Sequence, residues 1–390
     1  MAFDFDTVID RRGTHSVKWD GMAGRMGLDA PDQIPMWVAD MDFPAPPAVN
    51  AAIRDLVEHG IHGYYGDDSS MRDAVCNWYR ARHDYEIDPD TLGFVHGLVA
   101  GIGFSIQAFT EAGEGVVVFS PVYHMFGNTV KAAGRTLIES ELKQVQGRYE
   151  MDLEQLGRDL PANARMVLLC SPHNPGGRVW EQAELKALAD FCAERDLILV
   201  SDEIHNDLVY SGAKHIVTAN AAPEIAERLV TLIAPTKTFN IAGTLTGCVV
   251  IPNAELRNRF NAAKAACGSG AVNRFGMVGA EAAYRDGAPW LDALLPYLEA
   301  NRDRLDAAVA EHLPGVRSMK LDATYLAWLD FSGLDRDMAE ITHMVEHGAR
   351  IAVNKGPAFG KGGGSWLRFN FACPRETLDQ AIDRLTEVFK

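Results

Sequence analysis

A chain of 390 residues, 47% hydrophobic and 23% charged, is long enough for two packed cores and has the balance of an ordinary globular enzyme. A formal net charge of −16, with no basic run, argues against nucleic acid as a partner. No apolar run reaches the ~18 residues of a membrane span, and the acidic opening MAFDFDTVIDRRG lacks a signal pattern, so a cytoplasmic protein without membrane contact is expected.

In chain order, Leu92–Val95 reads as a strand, and His96-Gly97-Leu98-Val99-Ala100-Gly101 then opens an apolar helix. Val116–Phe119 and Met166–Leu169 read as buried strands, the first followed by SPVYHMF and the second by CSPHNPGG. A helix is expected over Glu181–Arg195, with Leu185, Leu188, Ala189 and Cys192 at helical spacing. Leu197–Val200 and Leu229–Ile233 are further strands, ending in SDEIH and APTKTFN, and Val249–Ile251 is a candidate fifth. Apolar strands alternating with helices predict an α/β protein built on a mostly parallel wound sheet. Beyond residue 285 the texture becomes α+β: a helix over Trp290–His312, strands over Tyr325–Leu329 and Trp366–Asn370, and helices over 335–347 and 375–388. The expected division is a large domain over 46–285 and a smaller one formed by 1–45 and 286–390.

Six cysteines (Cys76, Cys170, Cys192, Cys248, Cys267 and Cys373) contain no C-x-x-C pair and read as buried, reduced thiols. His343-Met-Val-Glu346-His347 fits a zinc-binding spacing, but Gly348 ends the helix and no third ligand lies near, so solvated helix residues are the better reading and no metal is expected. Gly356–Lys361 has one residue too few between its glycines for a phosphate-binding P-loop, and a Gly-rich hairpin is the simpler account.

Ligands of wound sheets bind beyond the carboxyl ends of the strands. Tyr123, Asn174, Asp202 and Lys237 each follow a predicted strand and should gather on one edge. An aromatic ring, an amide, a carboxylate and an amine at one mouth suit pyridoxal 5′-phosphate (PLP). Its aldehyde needs a lysine, its pyridine nitrogen an acid, and its phosphate a helix N-terminus. The N–H groups of Leu98 and Val99 are candidates for the phosphate.

The segments SPHNPGGRVW, SDEIHNDLVYSG and APTKTFNIAG, in that order, resemble fold-type I PLP enzymes of the aminotransferase class I/II superfamily. With PMWVADMDFPAP and FGKGGGSWLRFNFACPR, the chain is most similar to the MalY/PatB-type cystathionine β-lyase (C–S lyase) branch. The resemblance implies that Lys237 is the Schiff-base lysine and proton carrier, Asp202 the pyridinium partner and Asn174 the donor to the ring hydroxyl. Tyr123 would stack on the ring, Thr236 would add a hydroxyl at the phosphate, and His205 would lie near the cofactor mouth. Arg368 would clamp the substrate α-carboxylate. A homodimer acting on a small amino-acid substrate is implied too. Asp67 replaces a tyrosine that the family directs to the neighbouring subunit's phosphate, so Tyr64 or Tyr65 is expected to substitute, and Ala234 replaces a common serine. The implied reaction is β-elimination of L-cystathionine or a related cysteine S-conjugate to a thiol, pyruvate and ammonia. Transamination, or decarboxylative deamination of an amino-acid conjugate, stays open on the same scaffold.

Overall fold

The computed structural model describes residues 3–390. Its main sheet comprises β1 (Leu92–Val95), β2 (Gly115–Ser120), β3 (Thr136–Glu141), β4 (Ala164–Cys170), β5 (Ile198–Asp202), β6 (Leu229–Ile233) and β7 (Gly247–Val250). These seven strands lie in the order β1-β7-β6-β5-β4-β2-β3. Neighbours from β3 across to β6 pair in parallel, whereas β7 runs antiparallel to both β6 and β1. The candidate fifth strand is therefore real, but it is the one reversed element of the sheet. A short connection through Thr238–Thr246 returns the chain directly, without a crossover helix.

The period-2 pattern of β2 explains the layers. Val116 and Val118 face one way, against Ile102 and Ile106 of the Leu98–Phe109 helix. Val117 and Phe119 face the other way, in one cluster with Leu185 and Leu188 of the Gln182–Glu194 helix. Both faces are covered, so β2 and β6 are buried along their whole length. Thr136–Glu141 is not apparent as a strand in the sequence because it is an edge whose Thr-Leu-Ile-Glu-Ser-Glu run is mostly polar and does not alternate, with no residue fully buried.

A second, antiparallel sheet comprises β8 (Arg317–Ser318), β9 (Leu326–Asp330), β10 (Asn354–Lys355) and β11 (Trp366–Asn370), in the order β8-β9-β11-β10. The predicted helix over 335–347 is a short α-helix, Met338–His343, continued by one π-turn to Gly348. Glu346 pairs there with Lys355 at 3.0 Å. The long helix spans Ala288–His312. Ile34–Pro35 pairs in parallel with Ile351–Ala352, which draws the N-terminal segment onto the C-terminal part. One hydrophobic cluster runs from Phe5 and Phe43 through Trp78 and Tyr284 to Leu294 and Phe369. Five cysteines are buried as expected, but Cys267 is exposed, because it caps the solvent-facing end of the Ala254–Ala266 helix.

Candidate active site

Leu98, Val99, Tyr123, Asn174, Asp202, His205, Thr236, Lys237 and Arg368 line a single cavity of about 460 Å³ at the carboxyl edge of the main sheet. Asp202 is the last residue of β5, and Lys237 sits on the one-turn helix Pro235–Thr238 just after β6. Tyr123 caps the His124–Ala132 helix after β2. Arg368 comes from β11, so the second sheet supplies one wall of the cavity. Tyr64 is not brought there: its side chain is fully exposed, on an irregular segment between two helices. Asp67 is exposed as well and accepts from Ser69 N–H at 3.0 Å, so neither it nor the buried Ala234 touches the cavity.

The electrostatics of the site follow from burial. The Lys237 amine is pushed down to about 8 by desolvation and by the nearby Arg368, against the pull of Asp40 and Asp202. Its Nζ donates to the Ala39 carbonyl at 2.5 Å. The Asp202 carboxyl is pushed up to about 7 by desolvation, with the Ile204 N–H at 3.1 Å opposing. Burial lowers the His205 imidazole to about 3, so it is neutral, and its Nδ1 is buried without a partner. Arg368 donates through Nη1 to Asn174 Oδ1 at 3.0 Å, and through Nη2 to Trp37 O at 2.9 Å and Asn354 Oδ1 at 2.6 Å. Its Nε is buried and unpartnered. The guanidinium is thus oriented by neutral acceptors only, and among the described residues no carboxylate pairs with it.

Several contributors are residues that the sequence reading had not singled out. The 36–43 loop crosses the cavity, and Asn370 holds it by donating to Val38 O and Asp40 O, both at 2.6 Å. Asn240 adds bonds to Met41 O (3.0 Å) and Phe43 O (2.7 Å). Buried Lys18 pairs with Asp42 at 2.7 Å, and Arg11 joins Asp40 and Asp42. Behind Lys237, Thr238 Oγ1 donates to buried Asp207 at 2.9 Å, and His83 Nε2 lies 2.8 Å from the same carboxylate. Burial alone would raise Asp207, but the bonds from His83, Thr238 and Trp78 hold it below the usual carboxylate range. The sequence does carry signals for these residues, in the polar run DEIHND and in the asparagines of KTFN and LRFN. Residue type alone does not assign their partners.

This donor set fits PLP. An acid and a lysine, each with its charged form disfavoured, face one cavity. The Leu98–Phe109 helix points its start into that cavity with no side-chain cap, and Gly97 at φ 81° turns the chain into it. A wound sheet with these groups on its carboxyl edge defines the fold-type I class of PLP enzymes.

The model of the family "Aminotransferase class I and II" matches residues 31–385. The cystathionine β-lyase PatB of Bacillus subtilis is 39% identical over 383 residues, covering 98% of both chains. The protein MalY of Escherichia coli is 31% identical, covering 100% of this chain and 99% of its own. The crystal structure of cystalysin from Treponema denticola, which contains PLP, superposes with a TM-score of 0.96 at 32% identity, over 100% of this chain and 99% of that one. The chain belongs to the aminotransferase class I and II family, in its PatB/MalY C–S lyase branch, and is a PLP-dependent enzyme. The departures at Asp67 and Ala234 leave that membership untouched.

Proposed function

We propose that this enzyme is a β-lyase that cleaves L-cystathionine or a related cysteine S-conjugate to a thiol, pyruvate and ammonia. The observation that carries the reading is the joint placement of Lys237, Asp202 and Arg368 in one cavity, each electrostatically set for an amino-acid substrate. The 39% identity to a cystathionine β-lyase supports it. When bound, PLP supplies an aldehyde for amines and a ring that delocalises the electron pair left at the substrate Cα.

The protein's own residues do the rest. Arg368, free of carboxylate partners, binds the substrate α-carboxylate. Asn174, already bonded to Arg368, orients that fork and would donate to the cofactor's ring hydroxyl. Lys237, uncharged at mildly alkaline pH, takes the Cα proton. Asp202 would keep the ring nitrogen protonated, since a cation opposite it would restore the charged carboxylate that burial disfavours. Tyr123 would cover the ring face, Leu98, Val99 and Thr236 would hold the phosphate, and neutral His205 lines the same cavity without adding charge.

The active form in this reading is a homodimer. Val57 (54%), Ile61 (67%), Tyr64 (100%) and Leu245 (58%) are exposed apolar or aromatic residues. Arg274 donates to Ile61 O and its neighbour Asn273 to Thr244 O, which places this surface beside Leu245 at the cavity mouth. In this reading a second copy covers that surface.

The test is release of pyruvate from L-cystathionine by the purified holoenzyme with no keto acid present. Pyruvate and free thiol in equal amounts are expected. A holoenzyme that yields neither, but consumes the amino acid once a keto acid is added, is a transaminase and overturns the reading.

A further inference from the structure

A second cavity of about 280 Å³ adjoins the first, and Tyr123 and His124 line both. Asn128 and Lys131 form one wall, from the helix that Tyr123 caps, while Glu139 of β3 and Lys361 form another. The Gly-rich segment noted in the sequence finds its use here. Gly360 has φ +95°, and a Cβ on it would meet Glu139 Oε1 at 2.2 Å. Gly362 has φ +80°, and its Cβ would meet Glu141 Oε1 at 3.1 Å and Pro121 at 3.2 Å. Only glycine lets this loop lie flat on the strand ends and carry Lys361 over the cavity. Val122 N–H donates to Phe359 O at 2.8 Å and Lys361 N–H to Glu139 Oε1 at 3.0 Å, which tie the loop in place.

The charges of this cavity are unspent. Lys18, Lys143, Lys186, Lys214 and Lys355 are ion-paired, whereas Lys131 and Lys361 make no ion pair among the described residues. Glu139, the one acidic residue of the lining, accepts from the Lys361 backbone, a neutral donor, so the lining sets two cations against one carboxylate. Another cavity of about 660 Å³ also opens beside Lys237, but its cation, Arg11, is bound by Asp40 and Asp42. Between the two chambers, His124 packs edge-on to Tyr123 at 4.9 Å and to Phe359 at 6.0 Å, with Nδ1 buried and unpartnered. Burial, helped by Arg368, holds its imidazole below the ordinary value.

We infer that the chamber behind His124 is the leaving-group subsite, and that Lys131 and Lys361 select cysteine S-conjugates whose departing thiol bears a carboxylate. The inference rests on the proposed reading, in which Arg368 fixes the α-carboxylate; the chamber that shares Tyr123 and His124 with that cavity then takes the far end of the side chain. The subsite adds a second anchor at the far end of the substrate.

The experiment titrates the holoenzyme with L-2-aminosuberate and L-2-aminooctanoate, which differ only in the terminal carboxylate and have no sulfur to eliminate. Binding is read from the cofactor's absorbance. In the Lys131→Gln/Lys361→Gln double variant the preference for aminosuberate should fall about fivefold, and added salt should erode it in the parent protein but not in the variant. An unchanged preference, or equal weakening of both ligands, overturns the subsite. If neither amino acid perturbs the absorbance, the amino-acid reading fails and the subsite with it. If both bind with the expected preference but L-cystathionine yields no pyruvate, the lyase reading fails alone.

Discussion

Asp202 and Lys237 each have their charged form disfavoured relative to water, because the cavity desolvates both. For Asp202 the folded value of about 7 lies above the ordinary 3.8, so the fold binds the extra proton. The resulting cost is absent below pH ~4, grows as pH rises, and is complete above about 7. Asp202→Asn should therefore stabilise the cofactor-free protein at pH 8 by on the order of 2 kcal/mol, seen as a higher melting temperature, and the gain should vanish near pH 4. The same variant should lose at least about a hundredfold in turnover, since the ring nitrogen loses its acid partner. Melting curves at the two pH values and steady-state rates check both halves, and an unstabilised variant at pH 8 would contradict the burial argument. At this scale most of the candidate site was legible beforehand. A carboxylate, an amine, an amide and a ring placed just after strands must converge, because parallel strands deliver their carboxyl ends to one edge. Tyr64 is the exception, since nothing inside one chain draws it inward.

Among the elements, the 36–43 loop depends on side chains far away in the chain. Asn370 satisfies the carbonyls of Val38 and Asp40, and its own Oδ1 accepts from Ala372 N–H at 2.8 Å. Asn370→Ala strands two carbonyls, which should cost about 2–4 kcal/mol. It should also raise KM more than it lowers kcat, because Trp37 O orients Arg368 and Ala39 O holds Lys237. Thermal melts and a kcat/KM split check this, and an unchanged KM would remove the loop from substrate binding. Elements with a strong period, such as Gly115–Ser120 and Gln182–Glu194, could be read from pattern alone. The edge strand Thr136–Glu141 and the reversal of Gly247–Val250 could not: the first has a half-polar pattern, and strand direction leaves no trace in composition.

Across the whole molecule, the exposed Val57, Ile61 and Tyr64 beside the cavity mouth predict association. Ile61→Asp should shift the protein toward monomer in sedimentation and weaken cofactor retention at least about tenfold, because a buried charge is not tolerated at such a contact. A variant that stays associated and keeps its cofactor would place the interface elsewhere. The sequence by itself determined the sheet-and-helix alternation, the strand ends that carry chemistry, and through them the PLP class, since hydrophobic period and turn residues act locally. Only the tertiary structure decided that Asn240 and Asn370 clamp a loop over Lys237, that Arg368 keeps a guanidinium without a counter-charge, and that a Gly-rich loop walls a second chamber. Those features are made by contacts between residues up to hundreds of positions apart, and the bonds often end on backbone carbonyls, whose partners no side-chain pattern encodes.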